Sequence, residues 1–243
     1  MRGYDPATYG DRMAGIYDDW FGTPGDADAA AFLAKLAGSG PALELGIGTG
    51  RIAIPLSRKG VEIHGIDASK AMVERLRTKP GGAEILVTVG DFAGVDVEGT
   101  FSLIYVVFNT FFALLTQKDQ VRCFENVARR LDEGGLFVVE TFVPDFARLL
   151  AGQATQTKRV ETDRVYLETT RYDTTAQRAY SHNIVIGEDG TKLYPVEIRY
   201  AWPSEMDLMA RLAGLRLRER WAGCDREPFT SESGSHVSVY AGT

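Results

Sequence analysis

An α/β fold built on a doubly wound parallel sheet is predicted for this chain by three observations. Short apolar runs alternate with stretches of helical spacing between residues 42 and 141. The first run, Ala42 to Leu45, passes straight into the glycine turn Gly46-Ile47-Gly48-Thr49-Gly50, the strand-to-helix corner of an α/β unit. A later run, Phe101 to Val107, is apolar almost throughout, as a strand covered on both faces must be.

The elements follow in order. Tyr9 to Trp20 has the spacing of a short amphipathic helix, and Asp26 to Leu36 is a second, Ala-rich helix ended by Gly38-Ser39-Gly40-Pro41. Strand one is Ala42 to Leu45, and the glycine turn leads into a helix from Arg51 to Lys59. Val61 to Ile66 is strand two, after which Ser69 caps a helix from Lys70 to Arg77. Lys79-Pro80-Gly81-Gly82 breaks the chain before strand three, Glu84 to Val89. Strand four is Phe101 to Val107. Thr116 with Asp119 opens a helix from Lys118 to Leu131, and Gly134-Gly135 precedes strand five, Leu136 to Thr141.

Beyond about residue 156 the pattern changes. Thr157 to Tyr172, Arg178 to Ile186 and Lys192 to Trp202 are three β-rich segments, with a turn at Gly187-Glu188-Asp189-Gly190. Tyr194, Val196, Ile198, Tyr200 and Trp202 alternate with Pro195, Glu197, Arg199 and Ala201, the period of an antiparallel strand with one dry face. That face has three readings: a pocket wall, a subunit interface of a homo-oligomer, or packing on the core's own helices. Ser204 to Leu212 returns to a helical pattern with Ser204 as cap, and Arg216 to Trp221 with His236 to Tyr240 closes as a hairpin at the sheet edge.

Size and charge narrow the function. The 243 residues suit one domain spanning 1–243 that contains an insertion. A net charge of −6 and the lack of a Lys/Arg run argue against a nucleic-acid substrate. No apolar run is long enough to span a bilayer, and the start Met1-Arg2-Gly3-Tyr4-Asp5 lacks the apolar stretch of a signal peptide. Two cysteines, Cys123 and Cys224, make neither a disulfide framework nor a metal set, so a cytoplasmic setting is expected.

The glycine turn exposes bare backbone and free helix N–H groups to a ligand. Asp67, at the end of strand two, is placed to accept hydrogen bonds from both hydroxyls of a ribose. A nucleoside-containing cofactor is therefore implied. The dinucleotide fingerprint wants its third glycine at the sixth position, where this chain has Arg51, which counts against a nicotinamide oxidoreductase. The pattern from Glu44 is E-x-G-x-G-x-G, and it resembles motif I of the class I S-adenosylmethionine (SAM) methyltransferases. The resemblance implies a Rossmann-like seven-stranded methyltransferase sheet whose last strand runs antiparallel, SAM as cofactor, and Glu44, Gly46, Gly48, Gly50 and Asp67 among its binding residues. It covers residues 4 to 145 well and the strand-rich insert only in outline.

Further residues follow from reading past each strand end. Gly90-Asp91-Phe92 resembles the family's adenine motif, with the Asp91 carboxylate on the amino group and the Phe92 N–H on a ring nitrogen; a plain Asx turn is the alternative. Phe108-Asn109-Thr110-Phe111-Phe112 carries no Pro-Pro, which disfavours the DNA and protein-glutamine subclass, and Tyr105-Val106-Val107 offers no metal ligands. Phe108 is counted with the cofactor site; Phe111 and Phe112 fit a pocket wall and core packing equally. The arrangement Tyr9-x7-Tyr17-Asp18 resembles the small-molecule N-methyltransferases of antibiotic pathways, of the amino-sugar N,N-dimethyltransferase and lincosamide types. There the N-terminal helix is a lid, so residues 1–40 are implied to be a helical lid with Tyr9 on the substrate and Tyr17 on SAM. Residues 157–202 are then an inserted three-stranded antiparallel sheet over the substrate side. Those amino-sugar enzymes carry a His shortly after strand four, where this chain has Phe112-Ala113.

Methyl transfer needs alignment above all, and a base only if the acceptor is a hydroxyl. Of three histidines, His64 and His236 fit structural roles and His182, in the insert, is the one candidate base. The expected activity is SAM-dependent methylation of nitrogen, in preference to oxygen, on a small polar metabolite of secondary metabolism. A non-catalytic SAM-binding or regulatory protein on the same fold is the alternative. A pocket joining the cofactor to the space beneath Tyr9 distinguishes the two.

Overall fold

The computed structural model describes residues 1–22 and 25–242. Seven strands form one sheet in the order β10-β11-β5-β4-β1-β2-β3. They are β1 (Ala42–Leu45), β2 (Ile63–Asp67), β3 (Leu86–Val89), β4 (Phe101–Val106), β5 (Leu131–Phe142), β10 (Leu215–Trp221) and β11 (Ser235–Gly242). β1 to β5 run parallel, and β11 is antiparallel to both β5 and β10.

Strands buried on both faces make two cores. Leu45, Ile104, Val106, Phe137 and Val139 pack toward α6 (Gln117–Arg130) and α8 (Pro203–Leu212). Their neighbours Leu103, Tyr105 and Val138 pack toward α3 (Gly25–Ala37) and α4 (Ala53–Ser57). Ser69 caps α5 (Lys70–Arg77) by accepting from the Met72 N–H, and Thr116 caps α6 by accepting from the Asp119 N–H. The cap of α8 is not Ser204: Pro203 stands in its first turn and Trp202 is the N-cap residue, as the fixed φ of proline favours.

Two segments differ from their sequence patterns. Tyr9 to Trp20 is not one helix but two, α1 (Thr8–Met13) and α2 (Tyr17–Phe21), broken at residues 14–16. Neither end of the break has a side-chain cap; tertiary contacts hold both pieces. The insert has four strands, in the order β6-β7-β8-β9, where three segments were expected. Thr157 to Tyr172 contains a turn, so it contributes to both β6 (Gln153–Val160) and β7 (Arg164–Asp173). β8 (Arg178–Gly187) and β9 (Gly190–Arg199) complete the sheet. A short helix, α7 (Phe146–Ala151), leads into it, opened by the Asp145 carboxylate.

His236 is wholly buried in β11, with Nε2 2.9 Å from the Thr141 hydroxyl and Nδ1 2.8 Å from that of Ser238. Burial, and then the Arg220 guanidinium, push its pKa down to about 4. An unfolded chain takes up this proton near pH 6.5, the folded chain only near pH 4. Stability from this residue is therefore full above pH 6.5 and is lost as pH falls toward 4, by roughly 3 kcal/mol in all. Urea titrations from pH 7 to 4 should show a flatter pH dependence in His236→Gln than in the wild type. Equal slopes would remove His236 from the acid sensitivity of the fold.

Candidate active site

The carboxyl ends of β1 to β5 open onto one cavity of about 1120 Å³, roofed by the N-terminal segment and walled by the four-stranded sheet. Its floor is the glycine turn. The Gly46 and Ile47 N–H groups both donate to the Ile66 carbonyl, at 2.8 and 3.0 Å, which stitches the turn to β2. Gly46 and Gly48 have φ of +73° and +55°, a region open to glycine at no steric cost. A Cβ on Gly46 would lie 2.3 Å from Thr110 Cγ2, whereas one on Gly48 would meet nothing nearer than the Gly46 carbonyl at 4.0 Å. The backbone at Gly48 is therefore bare toward the cavity.

Asp67 locks this floor. Its Oδ2 accepts from the Gly48 N–H at 2.7 Å and its Oδ1 from the Ser69 N–H at 2.8 Å. Burial raises its pKa, and these two bonds oppose the rise. Each carboxylate oxygen keeps a second lone pair for a ligand. Glu44 lies underneath, buried in β1, where Oε2 accepts from the Tyr105 hydroxyl at 2.9 Å. Burial pushes its pKa up to about 8. Gly50 is also underneath, where a Cβ would sit 2.9 Å from Leu76 Cδ1. Of the expected cofactor residues, Glu44 and Gly50 thus support the turn from below. Tyr17, Gly46, Gly48, Asp67, Asp91, Phe92 and Phe108 line the cavity.

Asp91 follows β3 at the half-exposed rim. Oδ1 closes an Asx turn by accepting from the Ala93 N–H at 2.9 Å, and Oδ2 pairs with Arg122 at 3.1 Å. Both its turn role and its place at the cavity hold together. Phe108 and Asn109, just past β4, are consecutive non-glycine residues at φ of +55° and +64°. Such backbone persists only where the surroundings over-determine it. Here the Phe108 N–H donates to Glu140 Oε2 at 3.2 Å, and Asn109 Oδ1 accepts from the Phe142 N–H at 2.6 Å. Phe111 and Phe112, one turn later, are fully buried core residues.

Arg51 carries more of the site than its sequence position suggested. Its guanidinium stacks 3.8 Å above the Phe108 ring and lies 5.8 Å from that of Tyr17. Nη1 donates to the Phe21 carbonyl and to Asp26 Oδ1, each at 2.6 Å. Asp18 makes a second tie from the N-terminal segment, accepting from the Thr49 hydroxyl at 2.6 Å and from Lys79 Nζ at 2.8 Å. Tyr9 and Tyr17 remain neighbours despite the broken helix, with ring centroids 6.4 Å apart. Trp20 meets the insert edge-on, 5.5 Å from Tyr166 and 5.3 Å from Tyr194. Aromatic cross-contacts of this kind between separate elements were not readable from local spacing.

The alternation of β7 to β9 decides which insert residues face the cavity. Tyr166, Glu168, Thr170, Tyr172, Ser181, Asn183, Val196 and Ile198 do, and Tyr194 joins them through Trp20. The Tyr194 stripe is therefore a wall of the cavity within its own chain. His182 is one residue out of phase, opposite Thr169 and Pro195 on the outer face. The structure does not bring it to the cavity, which corrects the expectation of a base there.

A family model described as a methyltransferase domain matches residues 42–135. The CcbJ methyltransferase of Streptomyces caelestis is 42% identical in sequence, covers 99% of this chain and 100% of its own, and superposes with a TM-score of 0.93. The chain belongs to the SAM-dependent methyltransferases. The cypemycin N-terminal methyltransferase of a Streptomyces species is 28% identical over 79% of this chain and 78% of its own length. An amino pentose methyltransferase from Micromonospora echinaspora shares the fold at 20% identity, with 94% and 97% coverage and a TM-score of 0.70. In this methyltransferase the bare backbone at Gly48, the spare lone pairs of Asp67 and a cavity larger than one nucleoside fit SAM with space left for a second molecule. Among the described residues, no helix is long and apolar enough to cross a membrane.

Proposed function

We propose that this methyltransferase methylates a nitrogen of a small polar metabolite in cytoplasmic secondary metabolism. The observation that carries the proposal is the continuity of the cavity, which runs from Gly48 and Asp67 to Tyr9 and the insert without a dividing wall. A protein that only bound the cofactor would have no use for the space beneath Tyr9.

Bound SAM supplies a methyl group on a positively charged sulfonium. The chain's part is to hold, orient and dry the reactants. In the proposed assignment Gly46 and Gly48 lie along the amino-acid end, Asp67 accepts from the ribose hydroxyls, and Asp91 and Phe92 meet the adenine. Tyr17 and Phe108 flank the cofactor, and Tyr9 orients the acceptor. The N-terminal segment is the lid. Nitrogen is favoured because the cavity carboxylates already have partners: Asp67 holds the turn, Asp91 and Asp119 share Arg122, Asp145 pairs with Arg148, Glu168 with Lys158 and Glu197 with Arg178. So engaged, each is a weak base toward a hydroxyl, and an amine needs only to arrive neutral. The name of the cypemycin relative, an N-terminal methyltransferase, points the same way. Incubation with methyl-labelled SAM and a panel of primary and secondary amines against matched alcohols, read by mass spectrometry, tests the proposal. Label on the alcohols alone would overturn it.

Asp67→Ala should lower SAM affinity by about tenfold or more, since a hydrogen bond to a charged group contributes roughly 1.5–3 kcal/mol. Asp67→Asn is expected to come close to the same loss. Whichever way its amide is turned, an NH2 group faces the N–H of Gly48 or of Ser69. Calorimetry showing unchanged affinity in either variant would remove the ribose assignment.

A further inference from the structure

Behind the cavity, on the outer face of the four-stranded sheet, lies a second concavity of about 880 Å³. Strand register builds it. Gln153, Arg171 and Tyr180 are directly opposed across β6, β7 and β8, and Thr155, Thr169 and His182 form the next row. Side chains two apart on a strand share a face, so the six make one patch, and Arg2 closes its side.

The chemistry of the patch is one-sided. It offers two guanidinium groups, an imidazole, three hydroxyls and an amide, and among the described residues no carboxylate lines it. The nearest acid in register, Glu197 opposite Tyr180, is already engaged by Arg178 and the Met1 amino group. The Arg171 guanidinium carbon lies over the Tyr180 ring, 4.5 Å from its centroid, a contact that restrains the planar fork beside the patch. The Thr155 and Thr169 hydroxyls are 3.1 Å apart. Among the described residues His182 Nδ1, buried as the ring stands, has no hydrogen-bond partner, a state that costs free energy and that a turn of the ring toward the concavity relieves. In a chain of net charge −6, convergent donors without a counter-charge are the arrangement that takes an oxyanion.

We propose that this outer-face patch binds a phosphate group, with Arg171 and His182 as its principal donors and Arg2, Thr155 and Thr169 beside them. A turn of the His182 ring about its own axis presents Nδ1 to the ligand. The site is separate from the cofactor cavity, from which the sheet itself divides it, and it stands whether or not the acceptor is an amine.

The test is calorimetric titration of the full chain with orthophosphate and with glucose 6-phosphate, at ionic strength matched with chloride. Saturable binding is expected, weakened by about tenfold or more in Arg171→Gln, which loses the charge on an exposed side chain, and also weakened in His182→Phe. SAM affinity should be unchanged in Arg171→Gln, which shows that the variant is folded. Tighter binding of the sugar phosphate would identify a phosphorylated metabolite as the ligand, and equal binding the free ion. Absence of saturable binding by either probe, or binding that Arg171→Gln leaves intact, would overturn the proposal.

Discussion

Gly48→Val abolishes SAM binding while the chain still folds: that is the largest effect expected of any single substitution here. The expectation rests on what surrounds the position. A Cβ on Gly48 meets no protein atom nearer than 4.0 Å, so the added side chain fills only the space a ligand needs. Its φ of +55° adds strain, of the order of 1–3 kcal/mol for a non-glycine residue, which a domain of ordinary stability tolerates. Gly48→Ala imposes the same φ with a smaller side chain, and separates strain from obstruction. It should retain weakened binding where Val retains none. Gly46→Ala is the contrasting control, because its Cβ would lie 2.3 Å from Thr110 Cγ2 and should destabilise the fold itself. Melting temperature and calorimetric affinity, measured together, distinguish the cases. A folded Gly48→Val protein that binds SAM normally would mean that the turn does not face the cofactor.

The sheet and its glycine turn were legible because both are written locally. Continuous apolar runs identify strands covered on two faces, and glycines at 46, 48 and 50 mark a turn whose backbone angles other residues rarely adopt. The edges of elements were less legible. The helix after the turn begins at Ala53, not Arg51, since the intervening residues continue the turn. Tyr9 to Trp20 has helical spacing throughout, yet tertiary contacts decide where it breaks. Met13 and Ala14 pack with Met72, and Gly10 lies so close to Ser69 that a Cβ there would be 2.4 Å from the serine Cβ.

The site divides along the same line. Asp67, Asp91 and Phe92 line the cavity because they stand past strand ends, a topological rule that sequence position alone carries. Arg51 was noticed only as a departure from a nicotinamide motif, whereas in the structure it joins Phe108, Phe21 and Asp26. Its partners are far apart in sequence, so no spacing announces them. His182 failed by one residue of register. Along a strand a shift of one exchanges the two faces, and composition alone does not reveal which face turns inward. Once β8 is placed, Ser181 and Asn183 go to the cavity and His182 to the back.

The N-terminal tyrosines should separate under mutation. Tyr9 is partly buried among its neighbours, and desolvation holds its phenol well above the ordinary pKa. It stays neutral throughout the physiological range and can act on an acceptor by hydrogen bonding, not by removing a proton. Tyr9→Phe removes only the hydroxyl and keeps the ring beside Tyr17, so SAM affinity should hardly change. Turnover should fall, on the order of a hundredfold, because misalignment of the acceptor removes the chief source of rate. Tyr17 is differently engaged: its ring lies 5.1 Å from that of Phe21 and 5.8 Å from the Arg51 guanidinium, which in turn holds the Phe21 carbonyl. Tyr17→Ala should therefore weaken SAM binding and loosen the segment that covers it, seen as faster hydrogen exchange over residues 9 to 20. If both rings merely fasten the segment to the core, the two variants would lower stability together and shift SAM affinity alike, and the division between an acceptor tyrosine and a cofactor tyrosine would fall.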